Sequence, residues 1–441
     1  MKKPKLSFWQ IWNLSFGFLG VQIGYSLQNS NTSSIFESLG ADVSHLSYFW
    51  LAAPVAGMII QPIIGMFSDG TWTRFGRRIP YILGGSIIST VALMLMPNCP
   101  ALLSFAPLAM GAFILLFMDT SFNVTMQPFR ALVSDMLDDS QKTKGYVVQT
   151  FLINLGAVIG GLLPLIMTWF GVSDTAEPGQ VPGHIAYSYY AGGIILFLTV
   201  LWTSFRVREY PPKQFAEYNG IQEEREQAPR QGVLTLLKNT PKVMLQLGVT
   251  QFFSWAALFL MWTYLKPAIT GVVTDLSGAV LSEGATQTWV GVLNAIYPVP
   301  ACIAAVFMAK IAARFGNKPV YAVCLLCGAL GFFGITMLHN QYALIIPMIG
   351  IGIAWAGILS MPYAILSREL DARRTGVYMG IFNFTITIPQ IVIGLTGGMI
   401  IKYCFHSNAA MMLALAGAFM LLAAVSVRFV KEKKETNNPI K

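Results

Sequence analysis

The sequence predicts an all-α membrane protein in which twelve transmembrane helices form two six-helix halves. Three observations carry this prediction. Charged residues make up only 11% of the 441 residues, whereas a soluble globular domain contains roughly 25%. Uncharged apolar runs of about 20 residues, the length that crosses a bilayer as a helix, recur along the whole chain. A short basic segment also occurs twice, at corresponding positions of the two halves.

The apolar runs have almost no polar faces, which the helices of a large soluble core would need. The first run carries Gln22, Gln28 and Asn29 and lacks a small-residue cleavage site, so we expect a retained helix rather than a signal peptide. The twelve spans are predicted at residues 11–33, 47–67, 79–97, 102–129, 147–170, 187–205, 243–264, 288–309, 319–338, 342–366, 377–401 and 409–428.

The net charge of +9 reflects membrane topology rather than an affinity for nucleic acid. If both termini are cytoplasmic, all of the 29 lysines and arginines except Lys266 and Lys402 lie on the cytoplasmic side. This is the positive-inside bias that sets orientation during insertion. We therefore predict a multi-pass protein of the plasma or inner membrane with cytoplasmic termini, embedded in the lipid bilayer and without a nucleic-acid partner.

The spans divide six and six around a hydrophilic segment. The N-terminal half is predicted at residues 1–206, a cytoplasmic linker at 207–242, and the C-terminal half with a basic cytoplasmic tail at 243–441. Within it, the stretch "REYPPKQFAEYNGIQEEREQAPRQG" contains both signs of charge and three prolines, as is typical of a loop with short helical stretches.

The residues that usually bind metals or perform redox chemistry do not form a site in this sequence. Cys324 and Cys327 form a CxxC inside a predicted helix, with no second pair, which favours a packing role. The four histidines lie near outer ends of spans and lack ligand spacing. We expect neither a cofactor nor an enzymatic activity. These histidines are His45, His184, His339 and His406.

The repeated basic segment reads "GMFSDGTWTRFGRRIPYI" at 65–82 and "FMAKIAARFGNKPVYA" at 307–322. Gly65 and Gly76 permit close turns, and Asp69 can end a helix and pair with a nearby arginine. A plain positive-inside anchor would explain the arginines but neither the acid nor the repeat. We therefore favour a gating or conformation-locking role for Asp69, Arg74, Gly76, Arg77 and Arg78.

Asp119 is the one acidic residue that falls inside a predicted span; the others among the 20 fall in predicted loops or the tail. A charge at the bilayer centre costs about 2.5–3.5 kcal/mol on insertion scales, so it is retained where it has a function. Arg130 is eleven residues away, about 16 Å along a helix, too far for a direct ion pair. A buried acid without a permanent cationic partner is suited to taking up and releasing a proton. A structural aspartate that binds neighbouring helices is the alternative.

Uncharged polar side chains in several spans are suited to a ligand rich in hydroxyl groups. Asn123 and Gln127 share a helical face with Asp119 and Arg130, within about 80°. Each polar residue alone could simply join helices, but together amides and aromatic faces suit a sugar. The other candidates are Gln22, Tyr25, Gln28 and Asn29 in the first span, Gln251, Trp255 and Trp262 in the seventh, and Asn383 and Gln390 in the eleventh.

Two six-span halves and the loop at 65–82 resemble the major facilitator superfamily. The stretches "GVQIGYSLQNSNTSSIFESLG", "MDTSFNVTMQPFRALVSDML" and "GVYMGIFNFTITIPQ" further resemble sucrose transporters and their relatives among the glycoside–pentoside–hexuronide:cation symporters. This resemblance implies that Asp119 couples transport to a proton and that Arg130 takes part in sugar recognition or coupling. The segment "FLMWTYLKPAIT" lacks the acid and the Arg–acid pair of the plant proteins, and His45 is offset. These departures point to a bacterial relative that takes maltose as readily as sucrose.

The sequence as a whole predicts a proton-coupled symporter that imports sucrose or maltose by alternating access, working as a monomer. Two alternatives remain open. A proton-driven exporter of amphipathic compounds would need a broad apolar pocket with several acids. A non-transporting sugar sensor would need a signalling segment, which the linker at 207–242 does not provide.

Overall fold

The computed structural model describes residues 3–39, 46–173, 175–177, 179–221 and 233–431. In these ranges the chain is almost entirely helical, apart from isolated β-bridges such as Thr73 with Gly76. The predicted positions of His45, of residues 222–232 in the linker and of the last ten residues lie outside the described part. The first nine helices are α1 (Phe8–Ser38), α2 (Leu46–Gly70), α3 (Ile79–Leu95), α4 (Cys99–Leu102), α5 (Pro107–Met136), α6 (Asp139–Trp169), α7 (Gly183–Arg206), α8 (Pro212–Asn219) and α9 (Val233–Lys238).

The remaining helices follow the linker. They are α10 (Lys242–Ile269), α11 (Glu283–Ile296), α12 (Pro298–Phe315), α13 (Asn317–Met337), α14 (Ile345–Leu366), α15 (Thr375–Phe382), α16 (Phe384–Met399) and α17 (Ala409–Ser426). A π-helical turn, Ile400–Cys404, extends α16. Single 3₁₀ turns lie at Met96–Asn98, Ala372–Arg374 and Val427–Phe429.

Ten helical segments among the described residues are long and apolar enough to cross a membrane. They coincide with the third to twelfth predicted spans. The helices α1 and α2, of 31 and 25 residues, occupy the positions predicted for the first two spans. The predicted all-helical membrane protein is confirmed, while the count of twelve spans stays a prediction.

Two of the predicted spans are interrupted near their middles. The eighth divides at Tyr297 into α11 and α12, because Pro298 and Pro300 have no backbone N–H to continue the hydrogen-bonding pattern. The eleventh divides at Asn383, whose N–H donates to the Gly380 carbonyl at 3.1 Å, a tightened turn. Pro389, where the sequence suggests a kink, lies inside α16.

The chain forms two compact units, and neither is continuous in sequence. The first contains Met1–Met136, Leu152–Leu237 and Ala372–Asn383. The second contains Leu137–Phe151, Lys238–Asp371 and Phe384–Lys441. The start of α6 thus belongs to the second unit and α15 to the first. The predicted halves on either side of 207–242 were defined by the sequence repeat, whereas these units are defined by compactness. The predicted division into halves therefore stays a prediction.

In the first unit, α1 and α7 approach each other closely through glycines. The Gly17 N–H donates to the Thr203 hydroxyl at 2.8 Å, a bond between the two helices. A Cβ atom at Gly20 would lie 2.6 Å from the Leu196 Cα and would also overlap the Thr199 side chain. Small residues permit this close backbone approach, as is usual for helices packed in a membrane.

In the second unit, glycines likewise permit a close approach, here between α13 and α14. A Cβ atom at Gly331 would lie 2.6 Å from the Pro347 carbonyl oxygen. One at Gly357 would lie 2.6 Å from the Cys324 Cβ. Cys324 is buried in this contact and carries a free thiol, so it fills a tight space between the two helices.

Replacement of Gly20 by alanine is expected to destabilise the protein. The added methyl group meets the backbone of α7, which cannot yield as a flexible side chain would. We expect the free energy of unfolding to fall by about 1–3 kcal/mol, typical of overpacking. The fall would be measured as a lower midpoint of thermal unfolding in detergent.

The matched control is Gly84→Ala in α3, where no atom lies within 4 Å of the added Cβ. Alanine is the better helix former, so this variant is expected to be as stable as the wild type or slightly more stable. Equal midpoints for the two variants would contradict the close packing of α1 on α7.

Candidate functional site

Asp119 is buried in the middle of α5 with only neutral neighbours. Its side chain is 1% exposed, and the amide of the fully buried Gln28 in α1 donates a hydrogen bond to its Oδ1. Within the described residues, Oδ2 has no hydrogen-bond partner and no cation forms an ion pair with the carboxylate. One oxygen of this carboxylate is therefore available to hold a proton.

Three amide side chains surround the next turn of α5. The Asn123 amide donates to the Asp119 carbonyl at 2.8 Å, and its Oδ1 accepts from Gln61 Nε2 at 2.6 Å. A Cβ atom placed on Gly57 would lie 3.0 Å from Asn123 Oδ1 and 3.3 Å from Asn383 Nδ2. The structure therefore brings together two predicted residues, Asn123 and Asn383, beside Asp119. We call Gln28, Gln61, Asp119, Asn123 and Asn383 the Asp119 cluster.

Tyr25 connects the predicted residues of α1 to those of α5. Its half-buried ring meets Phe122 edge to face, with centroids 5.8 Å apart. Its hydroxyl is hydrogen-bonded to Asn29 and is affected by the charges of both Asp119 and Arg130. Arg130 is half-buried in the second half of α5. Tyr25 thus contacts α5 through its ring and Asn29 through its hydroxyl.

Gln22 lies where α1 meets α6. A Cβ atom on Gly156 would lie 3.0 Å from the Gln22 Cβ, and the Ser26 hydroxyl donates to the Ala157 carbonyl at 3.0 Å. This face of α1 therefore joins α6 at Ser26, and Gln22 is half-buried at the same contact. The opposite side of α1 presents Gln28 to Asp119.

A second group of polar side chains lies at the C-terminal ends of α2 and α5 and at the N-terminal end of α3. The guanidinium of Arg78, which is 0% exposed, donates to Asp69 at 2.5 Å and to Asp135 at 2.8 Å. Arg77 donates to the same oxygen of Asp135 at 2.6 Å, and the Ser68 hydroxyl accepts from Arg78. The predicted pairing of Asp69 with a loop arginine is thus present, and we call these residues the arginine network.

Glu209, from the segment after α7, completes the arginine network. Its carboxylate accepts from the backbone N–H groups of Arg78 and Ile79 at 2.8 and 2.9 Å, which caps the first turn of α3. Burial raises the pKa of Glu209 above its ordinary value. Burial likewise raises the pKa of Asp69, although Arg78 opposes the shift. The network therefore keeps its acids out of water and holds them with matched donors.

The N-terminus of α15 is bound to this network. The Asp69 carboxylate accepts from the backbone N–H groups of Gly376 and Val377 at 2.9 and 2.8 Å. An acid at a helix N-terminus satisfies free N–H groups and the helix dipole together. The fully buried Gln127 amide donates to the Gly376 carbonyl. Gln127 therefore holds α15 instead of joining the Asp119 cluster.

Arg74 and Gly76, which the sequence places in the same functional group, occupy the turn itself. The Arg74 guanidinium is exposed and lies over the Phe75 ring, 4.7 Å from its centroid. Gly76 has φ +115 and exchanges backbone hydrogen bonds of 3.0 Å with Thr73. Gly76 is needed because other residues rarely adopt this φ, whereas Arg74 lies outside the buried arginine network.

Three further residues, Gln390, Gln61 and Glu209, differ between the predicted site and the structure. Gln390 is half-buried in α16 and belongs to the second unit, so the first unit's Asp119 cluster does not contain it. Gln61 is not among the residues predicted from the sequence, although an amide inside an apolar span is the same signal that identified Gln22. Glu209, an acid directly after the sixth span, is likewise not among the predicted residues.

The comparisons with known proteins agree with this architecture. The sequence profile of the family described as MFS/sugar transport protein matches residues 35–404, most of the chain. The sucrose transport protein SUC4 of Arabidopsis thaliana is 24% identical over 422 aligned residues, which cover 86% of this chain and 81% of that protein. The sucrose transport protein SUT3 of Oryza sativa subsp. indica is 26% identical over 471 residues, covering 93% and 92%.

Solved structures establish the fold. The proton:xylose symporter XylE bound to 6-bromo-6-deoxy-D-glucose superposes with a TM-score of 0.72 at 14% identity, covering 97% of this chain and 96% of that one. The transporter FucP in the outward conformation gives 0.72 at 13% identity, covering 97% and 99%. The predicted major facilitator fold is confirmed, and the profile match over residues 35–404 shows that the chain belongs to the MFS/sugar transport protein family, a family of transporters rather than enzymes.

Proposed function

We propose that this protein imports an α-linked disaccharide, sucrose or maltose, together with a proton by alternating access. The observation that carries the proposal is Asp119, a carboxylate buried among amides with one oxygen unpartnered in the described structure. The sucrose transport proteins similar over most of the chain support a disaccharide as the substrate. The transporter resides in the plasma or inner membrane as a monomer, with both termini cytoplasmic.

In this mechanism the proton binds at Oδ2 of Asp119. An ionised Asp119 carries a charge that is costly in the hydrocarbon layer, about 2.5–3.5 kcal/mol on insertion scales. Protonation removes that charge and turns Oδ2 into a hydroxyl that donates to a sugar oxygen. The amide of Gln28 holds Oδ1 in place during the exchange. Loading of the proton and binding of the sugar thereby favour each other.

The sugar hydroxyls are bound by the amides that surround Asp119. Asn123 lies one turn after Asp119 in α5, Gln61 donates to Asn123, and Asn383 lies near the same glycine, Gly57, as Asn123 does. Gln22, Tyr25 and Asn29 add further polar groups from α1. Arg130 supplies a planar cationic donor group that recognises sugar oxygens or stabilises the ionised Asp119 through Tyr25.

The arginine network acts as the gate of the cytoplasmic side. Asp69 and Gln127 hold the N-terminus of α15 through backbone hydrogen bonds. These bonds break when the cytoplasmic pathway opens and form again when it closes. Arg77 and Arg78 keep Asp69 and Asp135 oriented in both states, and the turn at Gly76 fixes the two arginines.

Removal of the titrating group from Asp119 is expected to separate sugar exchange from accumulation. Asp119→Asn keeps the size and most hydrogen bonds but remains neutral. Exchange of labelled sugar at equal concentrations should persist, because it needs no net proton movement. Uphill accumulation should vanish, because no proton moves with the sugar. A proton moving through the membrane potential supplies about 2.3 kcal/mol per 100 mV. Both are measured in proteoliposomes with sucrose and maltose, with and without a pH gradient.

Asp275→Asn is the matched control, since the half-buried Asp275 lies in the loop after α10 and its carboxylate accepts from Ser277 and Ala279 of the same loop. It should accumulate sugar as the wild type does. Normal accumulation by a well-folded Asp119→Asn protein would end the proposal that this residue carries the proton. Loss of both exchange and accumulation with intact folding would assign Asp119 to sugar binding alone.

The second prediction for the site concerns Arg130. Arg130→Lys retains the charge but replaces a planar five-donor group by a compact ammonium. We expect initial uptake of sucrose or maltose to fall about tenfold or more, because the fork of donors is lost. Arg206→Lys, an exposed arginine lying over the Trp202 ring, is the control and should transport normally. Normal transport by the Arg130→Lys protein would show that Arg130 serves only as a positive-inside anchor.

A further inference from the structure

The second copy of the repeated basic segment does not form a network like that of the first. In the first copy, Arg77 and Arg78 are buried and form ion pairs in the arginine network. The aligned residues of the second copy are Asn317 and Lys318, at the start of α13. Asn317 is buried and accepts a hydrogen bond from the Thr143 hydroxyl at 3.0 Å, and neither residue has an ion pair within the described residues. The arginine network therefore does not explain why the segment is repeated.

Both copies place an arginine over the exposed ring of the phenylalanine that follows it. The Arg314 guanidinium lies 5.3 Å from the centroid of the Phe315 ring, which is 60% exposed. The Arg74 guanidinium lies 4.7 Å from the centroid of the Phe75 ring, which is 51% exposed. Gly316 follows at φ +88, a value that favours glycine, and the corresponding glycine of the first copy also has a positive φ. The two copies thus share an exposed cation on an apolar ring.

Further cations lie around the turn of the second copy. Lys310 and Arg314 are both exposed and four residues apart, so they lie on the same face of α12. The Lys318 ammonium donates to the Arg428 carbonyl at 3.3 Å, which brings the exposed Arg428 at the end of α17 to this turn. Across the described parts of the chain, none of these four cations pairs with a carboxylate. We call Lys310, Arg314, Phe315, Lys318 and Arg428 the α12 basic surface.

An exposed apolar stripe on α12 leads to this surface. Ile303, Phe307 and Ile311 are 58%, 57% and 45% exposed. They are spaced four residues apart, as Phe315 is from Ile311, so they lie along one side of the helix. The segment Gly284–Phe315, which contains α12, is long and apolar enough to cross a membrane. The stripe therefore faces lipid chains, and the basic surface at its end lies at the depth of the lipid headgroups.

A positive-inside signal alone does not explain the α12 basic surface. Such a signal needs only positive charge, and it acts while the chain inserts. It gives no reason for an exposed phenylalanine ring beneath Arg314 or for an apolar stripe that continues from it. Cations beside apolar surface at a membrane boundary fit a molecule that has both an anionic group and a hydrocarbon chain. A phospholipid with net negative charge has both.

We propose that the α12 basic surface binds the headgroup of an anionic phospholipid. The guanidinium of Arg314 donates to two oxygens of the lipid phosphate, and Lys310 supplies a second positive charge. Lys318 and Arg428 raise the local positive potential, and an acyl chain packs along the apolar stripe of α12. The site lies wholly in the second unit. It goes beyond the proposed transport function, because it requires neither a particular substrate nor a proton.

The test is binding of a fluorescent phosphatidylglycerol to the purified full-length protein in a neutral detergent, measured as anisotropy. Arg314→Gln should raise the Kd about fivefold, and the double variant Lys310→Gln with Arg314→Gln about 25-fold. These factors follow from the contribution of each cation beside an anionic lipid. Phosphatidylcholine with the same chains should bind the wild type at least tenfold more weakly. Equal Kd values for the wild type and the double variant, or for the two lipids, would overturn the site.

Lys213→Gln is the matched control, since this exposed lysine in α8 is removed from the protein with the same loss of net charge. It should bind phosphatidylglycerol as the wild type does. If Lys213→Gln and Arg314→Gln raised the Kd equally, only the net charge of the protein would matter, and the proposed surface would be wrong. Displacement of the lipid by an equal concentration of inorganic phosphate would assign the surface to a soluble anion and would also contradict the proposal.

A second measurement locates the bound lipid. Phosphatidylglycerol with a photoreactive diazirine in its acyl chain is crosslinked to the wild type, and the modified peptides are identified by mass spectrometry. Crosslinks should lie within residues 303–315 and should disappear with excess unlabelled phosphatidylglycerol. They should also weaken in Arg314→Gln and persist in Lys213→Gln. Crosslinks confined to other helices would show that the lipid does not bind along α12, whatever the Kd values.

Discussion

The cost of a carboxylate in the hydrocarbon layer is the constraint on which the rest of this structure depends. Asp119 has one neutral hydrogen-bond donor, Gln28, and no ion-pair partner in the described chain. An ionised carboxylate in such a place is costly, because only a neutral dipole offsets its charge. The Gln28 amide of α1 supplies that dipole to Oδ1 without placing a charge beside the acid. The proton exchange proposed for Asp119 requires this arrangement, because a permanent cation beside the carboxylate would hold it ionised.

Asp135, on the same helix, shows the opposite solution. It is also buried, but its Oδ2 accepts hydrogen bonds from the guanidinium groups of Arg77 and Arg78 at 2.6 and 2.8 Å. A buried ion pair with good geometry resists separation, because removal of either partner leaves an uncompensated charge. The helix α5 thus carries an acid without an ion-pair partner in the middle of its length and an ion-paired acid near its end. The difference in partners, rather than a difference in burial, is what suits Asp119 and not Asp135 to the proposed proton exchange.

The sequence was sufficient for those features that depend on composition and on single residues. Apolar runs located the helices, and the exclusion of every other acid from the spans identified Asp119. The loop motif indicated that Asp69 would pair with an arginine. The sequence could not predict contacts between distant segments. Gln127 shares a helical face with Asp119, but α15 returns to the first unit and its Gly376 carbonyl accepts the hydrogen bond of the Gln127 amide. The edge-to-face contacts of Trp255 and Trp262 in α10 with Trp355 in α14 likewise depend on tertiary packing, which no periodicity encodes.

The short helix α15 connects the Asp119 cluster to the arginine network. It has eight residues and is therefore about 12 Å long. Asp69 and Gln127 hold its first turn, while Asn383, directly after its last residue, lies beside Asn123 in the Asp119 cluster. The tightened turn at Asn383 also separates α15 from α16, which belongs to the second unit. Under the proposed mechanism, α15 is therefore the element through which a sugar or a proton bound beside Asn383 would act on the hydrogen bonds of Asp69.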